Sequence, residues 1–301
     1  MPIADNRLRI IQNRLQDMNC WNENPVIVRA AILLLIAAAP LSAGCVRASQ
    51  ASLDGIPELQ REAPFSYSIK TTPSLRAAGS GNASDAGSGT TYDFDWRMAD
   101  WDGTRATKGT ELRTKPMPWL KEQWLSFKFF ADEKYFAGDS RFSIILQYHS
   151  MPDIDLGEEW RNPVSSFVIR GRNIQYDYRS SSERVTPKDA SGFIYTNKGT
   201  VQLGAVRFGQ WNEVVVHQTF DYYNGHIKIW MNGKAFERTG GIGFNDRRGL
   251  FVKFGLYCPE RSDLAEKRIS FRDVRMIPAK PNDPIPGTEE AAFRQLGVTR
   301  G

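Results

Sequence analysis

From Tyr92 onward the chain alternates apolar and polar positions in short runs separated by turn residues. This is the periodicity of half-buried strands, and no stretch of helical period is long enough to compete with it. The pattern predicts strands over 111–114, 124–130, 142–149, 165–170, 174–178, 213–220, 226–231, 250–258 and 269–277. Asn232-Gly233, set between the apolar run Ile227–Met231 and Lys234-Ala-Phe236, predicts a two-residue hairpin because both turn positions favour positive φ. Many short strands at this spacing fold as an antiparallel sandwich or barrel.

Residues before this region read differently. The run Ala30–Ala39 follows Arg29 and is too short to span a bilayer comfortably, so residues 1–45 read as a signal peptide, with Met18 an alternative start. Leu41-Ser-Ala-Gly-Cys45 resembles a lipoprotein cleavage box in which Cys45 becomes acylated; ordinary signal cleavage and a retained anchor are the alternatives. Either way the chain is expected to be exported, and held to a membrane only through a lipid on Cys45. Residues 46–91 read as a tether with one strand near Phe65–Lys70 and a loop rich in Gly, Ser and Ala over 77–90. The main domain is placed at 92–278. The tail 279–301, with Pro281, Pro284 and Pro286, is expected to be extended or frayed.

Composition narrows the partners. The net charge is +5, but no run of Lys and Arg concentrates it, which argues against nucleic acid and is compatible with an anionic ligand. The three cysteines, Cys20, Cys45 and Cys258, form no disulfide framework, so Cys258 is expected to be a buried thiol.

Side chains two apart on a strand share a face, and three predicted strands each keep an apolar side and a chemically loaded side. Glu111 and Arg113 lie together, opposite Leu112. Gln147 and His149 lie together, opposite Ile144, Leu146 and Tyr148. Lys253, Gly255 and Tyr257 oppose Val252, Phe254, Leu256 and Cys258. Burial of the apolar sides against a second sheet would leave the six polar groups on one open face, with Gly255 leaving room for a ligand to approach. His217 and His226 lack such companions and read as structural.

In this order, Glu111-Leu-Arg113, Gln147-Tyr-His149 and Lys253-Phe-Gly-Leu-Tyr257 resemble the three signature strands of the jelly-roll polysaccharide lyases. The likeness covers roughly residues 96–278. Gln147-Tyr-His149 followed by Met151-Pro-Asp153, and the segment Gly225–Lys234, are closer to the heparin lyase I and glucuronan lyase branch than to the alginate lyases of the same fold. Gly109 and Phe251 stand where the alginate form has Arg and Tyr. The resemblance implies an all-β, two-sheet antiparallel β-sandwich, a concanavalin-like β-jelly roll, acting as a monomer on an anionic polysaccharide. It implies β-elimination at a uronic acid, leaving a 4,5-unsaturated end.

The residue types suit that chemistry. Removal of the C5 proton builds negative charge on the adjacent carboxylate, which Gln147 and Arg113 can neutralise by charge-assisted hydrogen bonds. Tyr257 would protonate the leaving oxygen, and His149 or ionised Tyr257 would take the C5 proton. Lys253 and Glu111 are expected to bind substrate or tune these groups, Glu111 by orienting Arg113. No metal or other cofactor is required, with a structural calcium left open. Two other readings stand beside this one. A non-catalytic lectin-like or laminin-G-like module would share the Trp230–Gly233 hairpin, and a jelly-roll glycoside hydrolase would use paired acids from Asp153, Asp155 and Glu158.

Overall fold

The computed structural model describes residues 66–67, 75–78, 91–100, 107–221, 223–240, 247–259 and 262–300. The expected leader, the lipid attachment at Cys45, Cys20 and most of the tether lie outside the described residues. Among the described residues, no helix is long and apolar enough to cross a membrane.

Among the described residues sixteen strands follow in chain order. The first eight are β1 (Ser66–Tyr67), β2 (Leu75–Ala78), β3 (Thr91–Arg97), β4 (Thr107–Arg113), β5 (Glu122–Ala131), β6 (Phe142–Ser150), β7 (Ser165–Arg170) and β8 (Asn173–Ser180). The rest are β9 (Lys188–Asp189), β10 (Gly192–Phe193), β11 (Asn197–Ala205), β12 (Trp211–Thr219), β13 (His226–Met231), β14 (Lys234–Thr239), β15 (Leu250–Pro259) and β16 (Glu266–Ile277). A front sheet runs β1-β4-β15-β6-β7-β8-β11 and a back sheet runs β14-β13-β12-β5-β16-β3-β2, while β9 and β10 make a small hairpin. The predicted two-sheet antiparallel sandwich is the observed one. Asn232 and Gly233 both have positive φ, 51° and 82°, as the hairpin between β13 and β14 requires.

The layers meet through large apolar side chains. Leu146, Phe167, Tyr176, Val252, Phe254 and Leu256 of the front sheet pack against Phe94, Phe127, Phe129, Val214, Ile229 and Phe271 of the back sheet. Phe254 stands at the centre, edge-on to Phe94 at 5.7 Å and to Phe271 at 5.3 Å between ring centroids. Edge-to-face pairs of this kind add about 0.5–1.5 kcal/mol each beyond the area they bury.

One polar element crosses this interior. Lys267 of β16 is fully buried, pairs with the buried carboxylate of Asp139 and donates to Ser143 Oγ at 2.6 Å. Asp139 also accepts from Ser262 Oγ at 2.6 Å, so the pair ties the loop before β6 to the loop between β15 and β16. Cys258 lies beside it, buried as expected and in contact with Ser143, and burial pushes its thiol pKa up to about 11.

The tail departs from expectation. Glu289–Leu296 is a helix, α1, capped by Thr288, whose hydroxyl accepts from the Ala291 N–H, and ended by Gly297 in the left-handed region. Ala292, Phe293 and Leu296 bury against Trp124, Val215, Trp230 and Ile277 on the outer side of the back sheet. Three apolar residues within one short helical face suffice once a flat apolar patch is there to receive them, and the prolines before Thr288 only deliver the chain to it. With that side covered, the outer face of the front sheet is left open.

The buried pair gives a direct test. Replacing Lys267 with Met leaves the Asp139 carboxylate buried and uncompensated, a loss of about 3–5 kcal/mol. Urea unfolding of Lys267→Met should show it as a lowered midpoint with an unchanged slope; a shift equivalent to less than about 1 kcal/mol would mean that Asp139 finds another partner.

Candidate active site

Strand register decides what shares the open face. β15 is central, with Lys253 opposite Arg113 of β4 on one side and opposite Gln147 of β6 on the other. The same row continues through Ser166 of β7, Asp177 of β8 and Thr200 of β11. Phe251 lies opposite His149 in the next row. Arg113, Gln147, His149, Lys253 and Tyr257 therefore project from one face, as the period-two reading predicts.

Glu111 organises the centre. It is only 2% exposed, accepts from Gln147 Nε2 at 2.5 Å and pairs with Lys253 Nζ at 3.4 Å. A carboxylate so buried is stable only with partners, and these two hold it. In return it fixes which end of the Gln147 amide is the donor, leaving the second N–H of Nε2 free of that bond. The role it shows is to orient Gln147 and Lys253, where the sequence led to an expected role toward Arg113.

The cations cluster around aromatic rings. Arg113 Cζ is 5.6 Å from the Phe251 centroid, and Lys253 Nζ is 5.9 Å from both the Phe251 and the Tyr257 rings. His149 stacks on Phe251 at 5.3 Å with the planes 15° apart, and the exposed Trp160 closes a triangle of rings, 5.5 Å from His149 and 6.5 Å from Phe251. Burial among these rings, and then the charge of Lys253, lower the His149 pKa to about 3. The Ser150 carbonyl opposes this at 3.1 Å, and Arg161 and Arg179 add to the lowering. His149 is a neutral imidazole at physiological pH.

Tyr257 lies on the opposite flank of the Lys253–Gln147 row. It pairs with Ile144, three residues from Gln147, which is about 10 Å along the strand. Two bulges shape this region. In β6 an irregularity between Ile144 and Leu146 turns Ile145 into the core in place of Ile144, correcting the simple alternation expected there. In β15 the bulge falls between Phe254 and Tyr257, with Gly255 at φ 139°. A Cβ on Gly255 would come within 2.2 Å of the Thr110 carbonyl oxygen and 2.9 Å of Phe94. The glycine serves close backbone packing toward the core, and not, as expected from sequence, room for a ligand.

The acids of a paired-carboxylate mechanism are placed elsewhere. Asp153 and Glu158 flank a single 3-10 turn and are buried. Glu158 accepts from the Asp153 and Thr186 N–H groups at 3.0 and 2.8 Å and pairs with Arg161 at 3.4 Å. Asp153 pairs with Arg247 at 3.2 Å and with Arg184 at 3.7 Å. These carboxylates brace the loop 151–163, which carries Trp160 to His149, and the hydrolase reading loses its residues. Trp160 itself escaped the sequence reading because a loop has no periodicity to single it out. His217 and His226 sit on the back sheet, joined to Glu122 and Glu237 at 2.7 and 2.9 Å, in keeping with their structural reading. A cavity of about 230 Å³ beside Trp230, Phe293 and Arg300 is also on the back sheet, remote from the open face. Among the described residues no cluster of His, Cys, Asp and Glu could hold a metal ion.

The depressed pKa is open to measurement. An imidazole that protonates only near pH 3 keeps its neutral form as the pH falls through 6.5. In an NMR titration the ring resonances of His149, identified by their loss in His149→Gln, should stay fixed between pH 8 and 5. A midpoint near 6.5 would show that the surrounding rings and cations do not act as described.

The open face can now be set beside known proteins. A family model described as polysaccharide lyase matches residues 78–274, well over half of the chain. No curated protein matches in sequence. Among solved structures, an endo-β-1,4-glucuronan lyase from the fungus Trichoderma reesei is similar with a TM-score of 0.54 at 14% identity, over 73% of this chain and 94% of that one. An alginate lyase from Pseudomonas aeruginosa aligns with a TM-score of 0.45 at 18% identity, over 72% of this chain and 88% of that one. The fold likeness is to a jelly roll, and on the strength of the family match this chain belongs to the polysaccharide lyases, carbon–oxygen lyases that act on polysaccharides.

Proposed function

We propose that the substrate is an anionic, uronate-containing glycan, cleaved by β-elimination to leave a 4,5-unsaturated uronate. The observation that carries this reading is the one face on which Arg113, Gln147, His149, Lys253 and Tyr257 stand together, with His149 kept neutral by burial first and then by the charges of Lys253, Arg161 and Arg179. Cations next to an unprotonated base suit a sugar that brings its own negative charge and must lose a proton. Glucuronan and alginate are substrates of the two similar solved enzymes, and neither is assigned to this chain by that likeness alone.

In the proposed reaction the glycan lies across the strands along the Lys253–Gln147–Ser166–Asp177 row. Arg113 and the free N–H of Gln147 hold the carboxylate as charge develops on it. His149, on one flank, takes the C5 proton. The C5–H electron pair becomes the C4–C5 double bond, the C4–O bond breaks, and Tyr257, on the other flank, gives its phenolic proton to the departing oxygen. The bound carboxylate is opposite in sign to Lys253, so it raises the basicity of His149 as the site fills. The alternative in which ionised Tyr257 is the base has less support, because His149 already offers a free lone pair. Lys253 holds Glu111 and contributes to the carboxylate field. Every step uses the chain's own side chains, so the scheme calls on no cofactor.

We also propose that the chain is exported and anchored by acylation at Cys45, on the strength of the leader and Leu41–Cys45 sequence. Labelled palmitate should enter the full chain expressed in a bacterium that processes lipoproteins, and Cys45→Ser should abolish it; equal labelling of both would remove the anchor.

The reaction has a plain test. Incubation with glucuronan, alginate and heparin-type chains should give the ultraviolet absorbance of an unsaturated uronate with at least one of them. Tyr257→Phe should lower kcat by about 100-fold or more while KM changes little, since only a transferable proton is lost. New reducing ends without that absorbance, or full activity in Tyr257→Phe, would defeat the scheme.

A further inference from the structure

Beyond the reacting groups, the His149 row carries a second cationic centre. Arg179 of β8 follows Asp177 by two residues and so faces the same side as Gln147 and His149. Its guanidinium donates to the Pro163 carbonyl at 2.7 Å and sits over the Tyr195 ring at 5.8 Å. Both partners are neutral. The carboxylate of Asp177 is taken up by Gln175 Nε2 and Thr200 Oγ1, at 2.8 Å each. Among the described residues, no carboxylate lies within ion-pair distance of Arg179.

The residue directly opposite Arg179 on β11 is Lys198. Like charges facing each other across an antiparallel pair are destabilising, and a fold gains nothing by placing them there without an anion to share. Arg179 is also half-buried and held in place, so its charge is only partly screened. It lies two strand spacings from the His149 row position, about 10 Å. That is far enough to leave the reacting sugar to Arg113 and Gln147, and near enough for the same chain to reach.

We propose that Arg179, backed by Lys198 and braced by Pro163 and Tyr195, is a subsite for the carboxylate of a second acidic sugar of the bound glycan. The inference rests on the proposed uronate reading and narrows it. The substrate is a chain acidic at more than one sugar, and Arg179 selects for it through binding. Arg179 touches neither transferred proton and is the smallest of the influences on the His149 pKa, after burial, Lys253, the Ser150 carbonyl and Arg161, so its contribution should appear mainly in affinity and KM, with only a small change in kcat.

The experiment measures binding in the Tyr257→Phe background, where cleavage is suppressed. Calorimetric titration with an oligoglucuronate should give a Kd about 10-fold weaker when Arg179→Gln is added, the scale of one lost charge-assisted hydrogen bond. An oligomer with a single uronate followed by neutral sugars should bind the two proteins equally. Arg179→Lys should recover most of the loss, and an unchanged thermal midpoint would show that the fold is intact. Equal oligoglucuronate affinities with and without Arg179, or the same loss for both oligomers, would overturn the subsite. Arg179-dependent binding by a wild-type protein that releases no unsaturated uronate would leave the subsite standing and reject the proposed reaction instead.

Discussion

The arrangement of the open face depends on the burial of one side of β15. Val252, Phe254, Leu256 and Cys258 are each no more than 1% exposed, and Phe254 is locked edge-on between Phe94 and Phe271. A strand has only two faces, so fixing that side in the core fixes Lys253 and Tyr257 outside it. A slip of one residue would drive Lys253 into the aromatic layer, a cost no nearby carboxylate could offset in full. The same layer sets β4 and β6 through Leu112 and Leu146, and thereby delivers Arg113, Gln147 and His149 to the row beside Lys253.

On that scaffold the electrostatics are built around one buried anion. Glu111 is compensated by Lys253 and hydrogen-bonded by Gln147, so the amide and ammonium are oriented before any ligand arrives. Arg161 is engaged by Glu158 under the loop, whereas Arg179 faces Lys198. The balance left over at His149 is positive. The donors on this face are therefore fixed in advance of any ligand and need not reorganise to meet one.

The sandwich and its loaded face were legible because both follow from alternation. Gln147 and His149, or Lys253 and Tyr257, need only the period of two to be placed together. What alternation cannot show is where it breaks. The bulge at Ile145 exchanges two isoleucines of equal hydrophobicity, so no pattern distinguishes them. Gly255 reads as empty space in a sequence and proves to be a point of contact. Trp160 and Arg179 became visible only when the loop 151–163 folded over the sheet, held by the buried Arg161–Glu158 pair within it and by the pairing of Arg247 with the buried Asp153 carboxylate. The helix α1 was hidden for a related reason, its apolar face being too short to stand out without the Trp124 and Trp230 surface that receives it.

Gly109 shows how a departure from the alginate-type pattern acquires a physical meaning. It pairs with Tyr257, and a Cβ at this position would lie 2.9 Å from both the Tyr257 ring and a Glu111 carboxylate oxygen. The space that an arginine would fill is occupied here by the phenol and the carboxylate themselves. An arginine at 109 would therefore have to push Tyr257 aside, and with it Lys253, which lies over the same ring. Arg113 and Lys253 crowd around Phe251, the other departure, whose ring lacks the hydroxyl of a tyrosine and offers only its π-surface to them. Gly109 thus leaves room for the Tyr257 ring, and Phe251 seats Arg113 and Lys253 against its face.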